Sequence, residues 1–243
     1  MGKLFVVGIG PGNYENMTIK ADRALKSCDV IIGYHVYVSL VKDHYSDKEF
    51  ITTPMTQEIK RCQLAIDIAG KGKTVAMVCS GDSGIYGMAA LIYELRGKCV
   101  ASEVEIIPGI TAACSGAALL GAPLTHDFAV ISLSDRLTDW EKIEKRLEAA
   151  AAADLSIVLY NPASRERPDH LRKACDILLR HLPEDRLCGI AQHIGRDGEN
   201  KRLMSLGALR TTPVDMFCTV FIGNEMTSKI NQNMVTPRGY RDV

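Results

Sequence analysis

Four stretches of this chain place glycine, proline and small polar residues at the ends of apolar runs. They are GIGPG at 8–12, SGDSGIYG at 80–87, PGITAACSG at 108–116 and YNP at 160–162. Residues of this kind do little acid–base work. They let a backbone turn with positive φ and come close to a ligand, so that N–H and C=O groups do the binding. One such turn is also ordinary loop structure. Four in succession point to a shared crevice, because ligands of open α/β sheets bind outside the carboxyl ends of the strands.

The first turn invites comparison with the dinucleotide fingerprint G-x-G-x-x-G, which needs a helix starting inside the motif and an acidic residue closing the second strand. Here Gly12 comes one position early, and Pro11 disfavours helix at Gly10. The helix signal appears only near Thr18, and Asp29 precedes the second apolar run. A nicotinamide-dependent oxidoreductase is therefore disfavoured. From the residues alone, the turn reads equally as a tight loop or as one that faces a ligand.

The elements that carry these turns alternate. KLFVVG at 3–8 and VIIGY at 30–34 predict buried strands, separated by a helix from Thr18, its N-cap, to Ser27. Ile59, Cys62, Ile66 and Ala69 give helical spacing over 56–69, then TVAMVCSGD at 74–82 predicts a strand and 85–97 a helix. VEIIPGIT at 104–111 leads into the helix TAACSGAALLG. This pattern predicts a parallel α/β sheet. After GAPLTH at 121–126 the texture changes. FAVISL, LSIVLYNP, LCGIAQHIG, NKRLMSLGAL and MFCTVFIGN predict strands, the last two antiparallel, with helices over WEKIEKRLEAAAA and PDHLRKACDILLRHL. The expectation is two α/β halves, 1–123 with a parallel sheet and 124–243 with a mixed one, and a loosely attached polar tail, NQNMVTPRGYRDV.

The chain has 243 residues, 47% of them hydrophobic, and a formal net charge of +0. That leaves ample apolar material for a core, but no global basic field for nucleic acid or an anionic membrane. Its apolar runs fall well short of the roughly 20 residues of a membrane helix. Eight scattered cysteines, none in C-x-x-C, read as reduced and buried thiols in a cytoplasmic protein. No clustered metal ligands are seen, so no protein-bound metal is expected.

Taken together, VGIGPGN with Thr18, SGDSGIYG, IPGITAACSGAALLGAPLTHDF at 107–128, VLYNP at 158–162 and CTVFIGN at 218–224 resemble the tetrapyrrole methylase family of S-adenosylmethionine (SAM)-dependent methyltransferases. The likeness covers nearly the whole chain. Within the family, GDSGIYGMA, THDFAVISLSD, LYNPASRERPDHL and MVTPRGY look like the cobalamin-synthesis branch. That branch methylates C17 of precorrin-3B or cobalt-precorrin-3 with ring contraction and lactone formation. One departure stands out: Ser83 replaces the proline that other members carry after the acidic residue. A methylase acting at another corrin carbon and a non-catalytic tetrapyrrole carrier are the alternatives.

The resemblance implies SAM bound in a cleft between the halves, a tetrapyrrole substrate and a homodimer. Carried over by position, the SAM contacts are Pro11, Ser80, Gly81, Asp82, Ile85, Thr111, Ala112, Tyr160, Asn161, His193 and Thr219. Gly10 and Gly12 are expected on the substrate side. Methyl transfer needs in-line positioning more than acid–base help, but ring contraction moves protons. His126 and Asp127 are the first candidates for that task, with Asp82 beside them. The substrate's rim of carboxylates calls for arginines; Arg165, Arg167, Arg196 and Arg238 are the candidates.

Overall fold

The computed structural model describes residues 2–97 and 102–240, so Cys99 lies outside the described residues. The chain forms two compact units, Met1–Ala112 and Ala113–Val243.

The first unit holds strands β1 (Gly2–Gly8), β2 (Val30–Tyr34), β3 (Glu49–Thr53), β4 (Thr74–Cys79) and β5 (Ser102–Ile107), with helices α1 (Ile19–Ser27), α2 (His35–Ser39), α3 (Glu58–Gly70) and α4 (Ala89–Arg96). The strands form one parallel sheet in the order β3-β2-β4-β1-β5. Strand alternation divides the apolar runs between two cores. Phe5, Val7, Ile31, Ala76 and Val78 pack with α1 and α2 on one face. Leu4, Val6, Val30, Ile32, Val75 and Met77 pack with α3 and α4 on the other. The connection after β1 thus crosses one face toward β2, and the connection after β4 crosses the other toward β5. Their divergence makes the carboxyl ends of β1 and β4 the topological switch point, where such sheets bind ligands.

Thr18 caps α1 as its position predicts, its Oγ1 accepting from Ala21 N at 3.1 Å. The helix anticipated over 85–97 begins only at Ala89. Tyr86 holds a left-handed φ of 54°, and the Asp82 carboxylate folds 82–85 into a turn, so helical dihedrals start later. The short strand β3 was not anticipated.

The second unit carries α5 (Ala112–Leu120, all but its first residue) and β6 (Gly121–Ala122), then β7 (Phe128–Ser132), α6 (Trp140–Ala152), β8 (Ser156–Tyr160) and α7 (His170–Leu178). After these come β9 (Leu187–Gln192), β10 (Asn200–Ser205), α8 (Leu206–Leu209), β11 (Cys218–Ile222), β12 (Ser228–Ile230) and β13 (Asn233–Val235). The main sheet is mixed, in the order β10-β9-β11-β8-β7. β10 and β11 flank β9, each antiparallel to it, and β7 and β8 run parallel. Helices α6, α7 and α8 cover one face through Ile143, Leu147, Leu171, Leu178, Leu206 and Leu209. On the other face α5 lies close: a Cβ at Gly116 would stand 2.9 Å from the Phe221 ring. This packing is why α5 belongs with the second unit.

Two expectations are corrected here. The run NKRLMSLGAL is a strand only to Ser205, whose hydroxyl then caps α8 by accepting from Ala208 N at 3.2 Å. Among its described residues the tail is tied to the fold. β12 and β13 form a hairpin, β13 pairs with β6, and Met234 is fully buried. Thr236 donates to the Pro123 carbonyl at 2.8 Å.

Candidate active site

At the switch point the three strand-end turns of the first unit are laced together by main chain. Gly10 and Gly81 exchange both backbone hydrogen bonds, at 3.1 and 2.7 Å. Gly8 and Gly109 approach so closely that a Cβ on Gly109 would lie 2.1 Å from the Gly81 carbonyl oxygen and 2.6 Å from Gly8 C. Gly10 and Gly81 both hold positive φ, 77° and 67°. Only glycine allows this convergence of backbones.

Asp82 locks the arrangement. Its Oδ1 accepts from Gly84 N and Ile85 N at 2.7 and 3.0 Å, and its Oδ2 accepts from Gly109 N at 2.9 Å. A carboxylate has about four acceptor positions, so three are taken and one remains. Asp82 is therefore chiefly the clamp between the β4 and β5 turns. Ser83, fully buried, donates to the Ile107 carbonyl at 2.9 Å. Its departure from the family's proline thus adds a second tie to β5, which a proline could not make. Pro11 and Thr111 are buried beside these turns, Gly12 is half-buried, and Ile85 is exposed.

In the second unit the ends of β7, β8 and β9 and the start of β11 share one edge of the sheet. Register pairs Ser132 with Tyr160, Gln192 with Cys218, and Ala191 with Thr219. Tyr160, Asn161, His193 and Thr219 therefore come together, although 59 residues of sequence separate the first from the last. The Tyr160 hydroxyl accepts from Ala113 N at 2.7 Å, satisfying a free N–H in the first turn of α5. Asn161 and His193 both hold left-handed backbone, φ 53° and 51°. For His193 this is uncommon, and such strain concentrates at ligand-binding edges. The His193 ring stacks on Phe217 at 5.2 Å, and the Arg196 guanidinium lies 5.6 Å from the same ring. Sequence reasoning missed two participants. Ser132 accepts from the Asn161 amide at 2.9 Å, and Phe217 is the shared stacking surface. Neither carries a local signal.

His126 and Asp127 do not join this edge. They precede β7, so a five-residue strand separates them from Ser132, about 16 Å at roughly 3.3 Å per residue. His126 Nε2 is sealed from solvent and without a partner, and Asp127 is exposed. The tail lies with them: Arg238 donates to the Thr125 carbonyl at 2.9 Å.

Of the arginines, Arg167 is committed to the fold. It donates to Ser134 Oγ at 2.7 Å and Ser164 Oγ at 3.2 Å and lies 3.5 Å from Asp135. It staples two loops, so its fork is not offered to a substrate. Arg165 is exposed and has no partner among the described residues. Six of the seven described cysteines are buried. Burial holds their thiols protonated, pushing Cys28, Cys79 and Cys218 up to about 11. Among the described residues no three His, Cys, Asp or Glu side chains group as metal ligands would, and no helix is long and apolar enough to cross a membrane.

Residues 3–210 match the family of Tetrapyrrole (Corrin/Porphyrin) Methylases. This chain belongs to that family. A relative from Salmonella typhimurium, named a probable cobalt-factor III C(17)-methyltransferase, is 48% identical over 98% of this chain and 99% of its own length. The cobalt-factor III methyltransferase of Priestia megaterium is 44% identical over 99% of this chain, which spans 45% of that longer protein. Among solved structures, that of the methyltransferase CobJ agrees with a TM-score of 0.91 at 33% identity, covering 98% of this chain and 100% of that one. As a methylase of this family, the chain carries its glycine turns at the switch point of a parallel sheet, and the GIGPG turn is no dinucleotide fingerprint.

Proposed function

We propose that this chain is a SAM-dependent methyltransferase that methylates C17 of cobalt-factor III in cobalamin synthesis, with contraction of the macrocycle and lactone closure. The observation that supports this most is the full-length likeness to the Salmonella relative of that name. The relatives so named favour the cobalt-bearing substrate over metal-free precorrin-3B.

The residues present fit SAM. The cofactor pairs a flat base with a compact polar end, and the turns offer closely approachable main chain, small side chains and one remaining acceptor position on Asp82. In the first unit the assigned contacts are Pro11, Ser80, Gly81, Asp82, Ile85, Thr111 and Ala112, with Gly10 and Gly12 toward the substrate. In the second unit they are Tyr160, Asn161, His193 and Thr219. When bound, SAM supplies a methyl group already activated by its sulfonium. The chain's own task is to hold the accepting carbon in line and exclude water, which is worth many orders of magnitude in rate. Arg165, Arg196 and Arg238 remain the rim arginines for substrate carboxylates, and a homodimer is proposed.

Purified protein incubated anaerobically with SAM and cobalt-factor III should yield a product one methyl heavier, with the new carbon at C17 and a contracted, lactone-bearing ring by NMR. Methylation at another carbon would remove the C17 assignment. Turnover only of metal-free precorrin-3B would reverse the choice of substrate. His126 is the residue to test against contraction alone, because its buried Nε2 is unpartnered while its place before β7 sets it apart from the Tyr160 edge. His126→Ala should leave SAM binding unchanged and slow contraction by about 100-fold. Full contraction activity in that variant removes His126 from the chemistry.

A further inference from the structure

Arg61 lies in the second turn of α3 and is only 5% exposed. Its Nε donates to Thr53 Oγ1 at 2.7 Å and its Nη2 to the Pro54 carbonyl at 3.0 Å. Among the described residues it has no carboxylate within ion-pair distance. Two arginines less buried than Arg61 are answered by acids: Arg186 lies 3.5 Å from Asp154, and Arg167 lies 3.5 Å from Asp135. A buried guanidinium without a counter-charge is costly, because desolvation is not offset by attraction. Three of its five N–H donors are unused. Among the described residues, the side-chain nitrogens sealed from solvent without a hydrogen bond are those of His126 and Arg186. Arg61 Nη1 is equally unpartnered and is not one of them, so it keeps an opening to the outside.

Its position in the sheet is informative. Thr53 closes β3 and pairs in register with Tyr34, which closes β2. Ile32 pairs with Met77, which sets Tyr34 level with Cys79, the residue before the SGDSG turn. Arg61 thus sits at the carboxyl edge of the same sheet, on the side of the switch point away from β5. The Tyr34 ring, half-buried there, meets His35 at 4.4 Å and Tyr37 at 5.2 Å. The Arg61 charge reaches this far. Burial pushes the Cys79 thiol up, and Arg61 is among the groups that draw it back.

We propose that Arg61 is an anchor for one peripheral carboxylate of the tetrapyrrole, with Thr53 fixing its guanidinium and the Tyr34 ring flanking the seat. The bound carboxylate provides the counter-charge that the protein itself omits, and the planar fork matches it with two parallel hydrogen bonds. The inference rests on the tetrapyrrole reading above.

The test is a spectroscopic titration of the full chain, saturated with S-adenosylhomocysteine, with cobalt-factor III. Wild type, Arg61→Gln and Arg61→Lys are compared, and S-adenosylhomocysteine affinity is measured separately. Arg61→Gln should weaken cobalt-factor III binding by about tenfold or more, and Arg61→Lys by about threefold, because a point charge replaces the fork. S-adenosylhomocysteine affinity should stay within about twofold of wild type. Folded variants that bind cobalt-factor III as wild type does overturn the anchor and leave the methylase reading intact. Loss of folding in both variants makes Arg61 a staple between α3 and β3, and also overturns it. Wild type that fails to bind cobalt-factor III overturns the tetrapyrrole reading itself.

Discussion

At the carboxyl edge of the first sheet, Gly8, Gly81 and Gly109 meet main chain to main chain, and Asp82 clamps the turns by accepting three N–H groups. At the matching edge of the second sheet, Tyr160, Asn161 and His193 stand on strand ends, and side chains make the ties, to Ala113 N, Ser132 and Phe217. One edge has no room to vary, and the other keeps side chains that a ligand can read. Under the function proposed above, the first edge supplies seven of the eleven assigned cofactor contacts and the second supplies four.

The comparison breaks most decisively at Gly109. A methyl group there would collide with two main-chain segments, neither of which can move without opening the β1–β4–β5 edge. Gly109→Ala should cost at least about 3 kcal/mol, beyond the usual penalty of overpacking a flexible core, and abolish cofactor binding. Gly198→Ala is the control. Its φ of 81° is strained for alanine but nothing lies within 4 Å of the added carbon, so about 1 kcal/mol is expected. Thermal unfolding of the two variants measures the difference. Equal losses would mean that backbone dihedral, not convergence, makes glycine necessary at the first edge.

One polar change at each edge sharpens the contrast. Asp82→Asn keeps an oxygen for Gly84 N and Ile85 N but sets an amide donor against the Gly109 N–H. An unmet buried donor costs about 1–3 kcal/mol, and the β5 turn should shift with it. Tyr160→Phe removes one acceptor, from Ala113 N in the first turn of α5, and should cost about 1 kcal/mol. Calorimetric titration with S-adenosylhomocysteine should show the larger loss of affinity for Asp82→Asn. A larger loss for Tyr160→Phe would reverse the assignment of the cofactor chiefly to the main-chain edge.

The asymmetry also explains what could be read in advance. Most of the first sheet was legible because β1, β2 and β4 are continuous apolar runs and the turns after β1 and β4 announce themselves through glycine, whereas the short strand EFITT has no such run. The switch point was not legible, because it depends on the strand order β3-β2-β4-β1-β5, which the alternation of elements does not fix. Of the second edge, only the YNP turn was visible from the residues, and the rest came through resemblance. Tyr160 and Thr219 are ordinary strand residues by type, and left-handed backbone at His193 has no sequence signature. Arg167 looked like a rim arginine because capture by Ser134 and Ser164 depends on two loops meeting. His126 looked like a neighbour of the cofactor residues because its motif is compact, yet β7 carries the chain a full strand length before Tyr160's edge begins. The tail seemed loose because three-residue strands such as NMV are too short for an alternating pattern.

The smallest effect expected lies where the first edge meets its own support. The GPGN loop continues into Tyr14, whose hydroxyl donates to Asp22 Oδ1 at 2.9 Å. Tyr45 donates to the same oxygen at 2.8 Å, and Lys26 to Oδ2 at 2.7 Å. Burial works to raise the Asp22 pKa, but the bonds from Lys26, Tyr45 and Tyr14 together outweigh it and hold the carboxyl below its ordinary value. A carboxyl depressed by folding contributes stability that is complete above its unfolded pKa of about 3.9 and lost as pH falls through the lower folded value. Wild type should therefore lose stability on acidification below about pH 4 more steeply than Asp22→Asn, which cannot titrate. At pH 7 the variant should be less stable, by about 1 kcal/mol. Urea unfolding of both proteins between pH 3 and 7 measures this. Parallel curves would mean that the loop is held by the Gly10–Gly81 pair alone, and that the first edge needs no side chain outside Asp82 and Ser83.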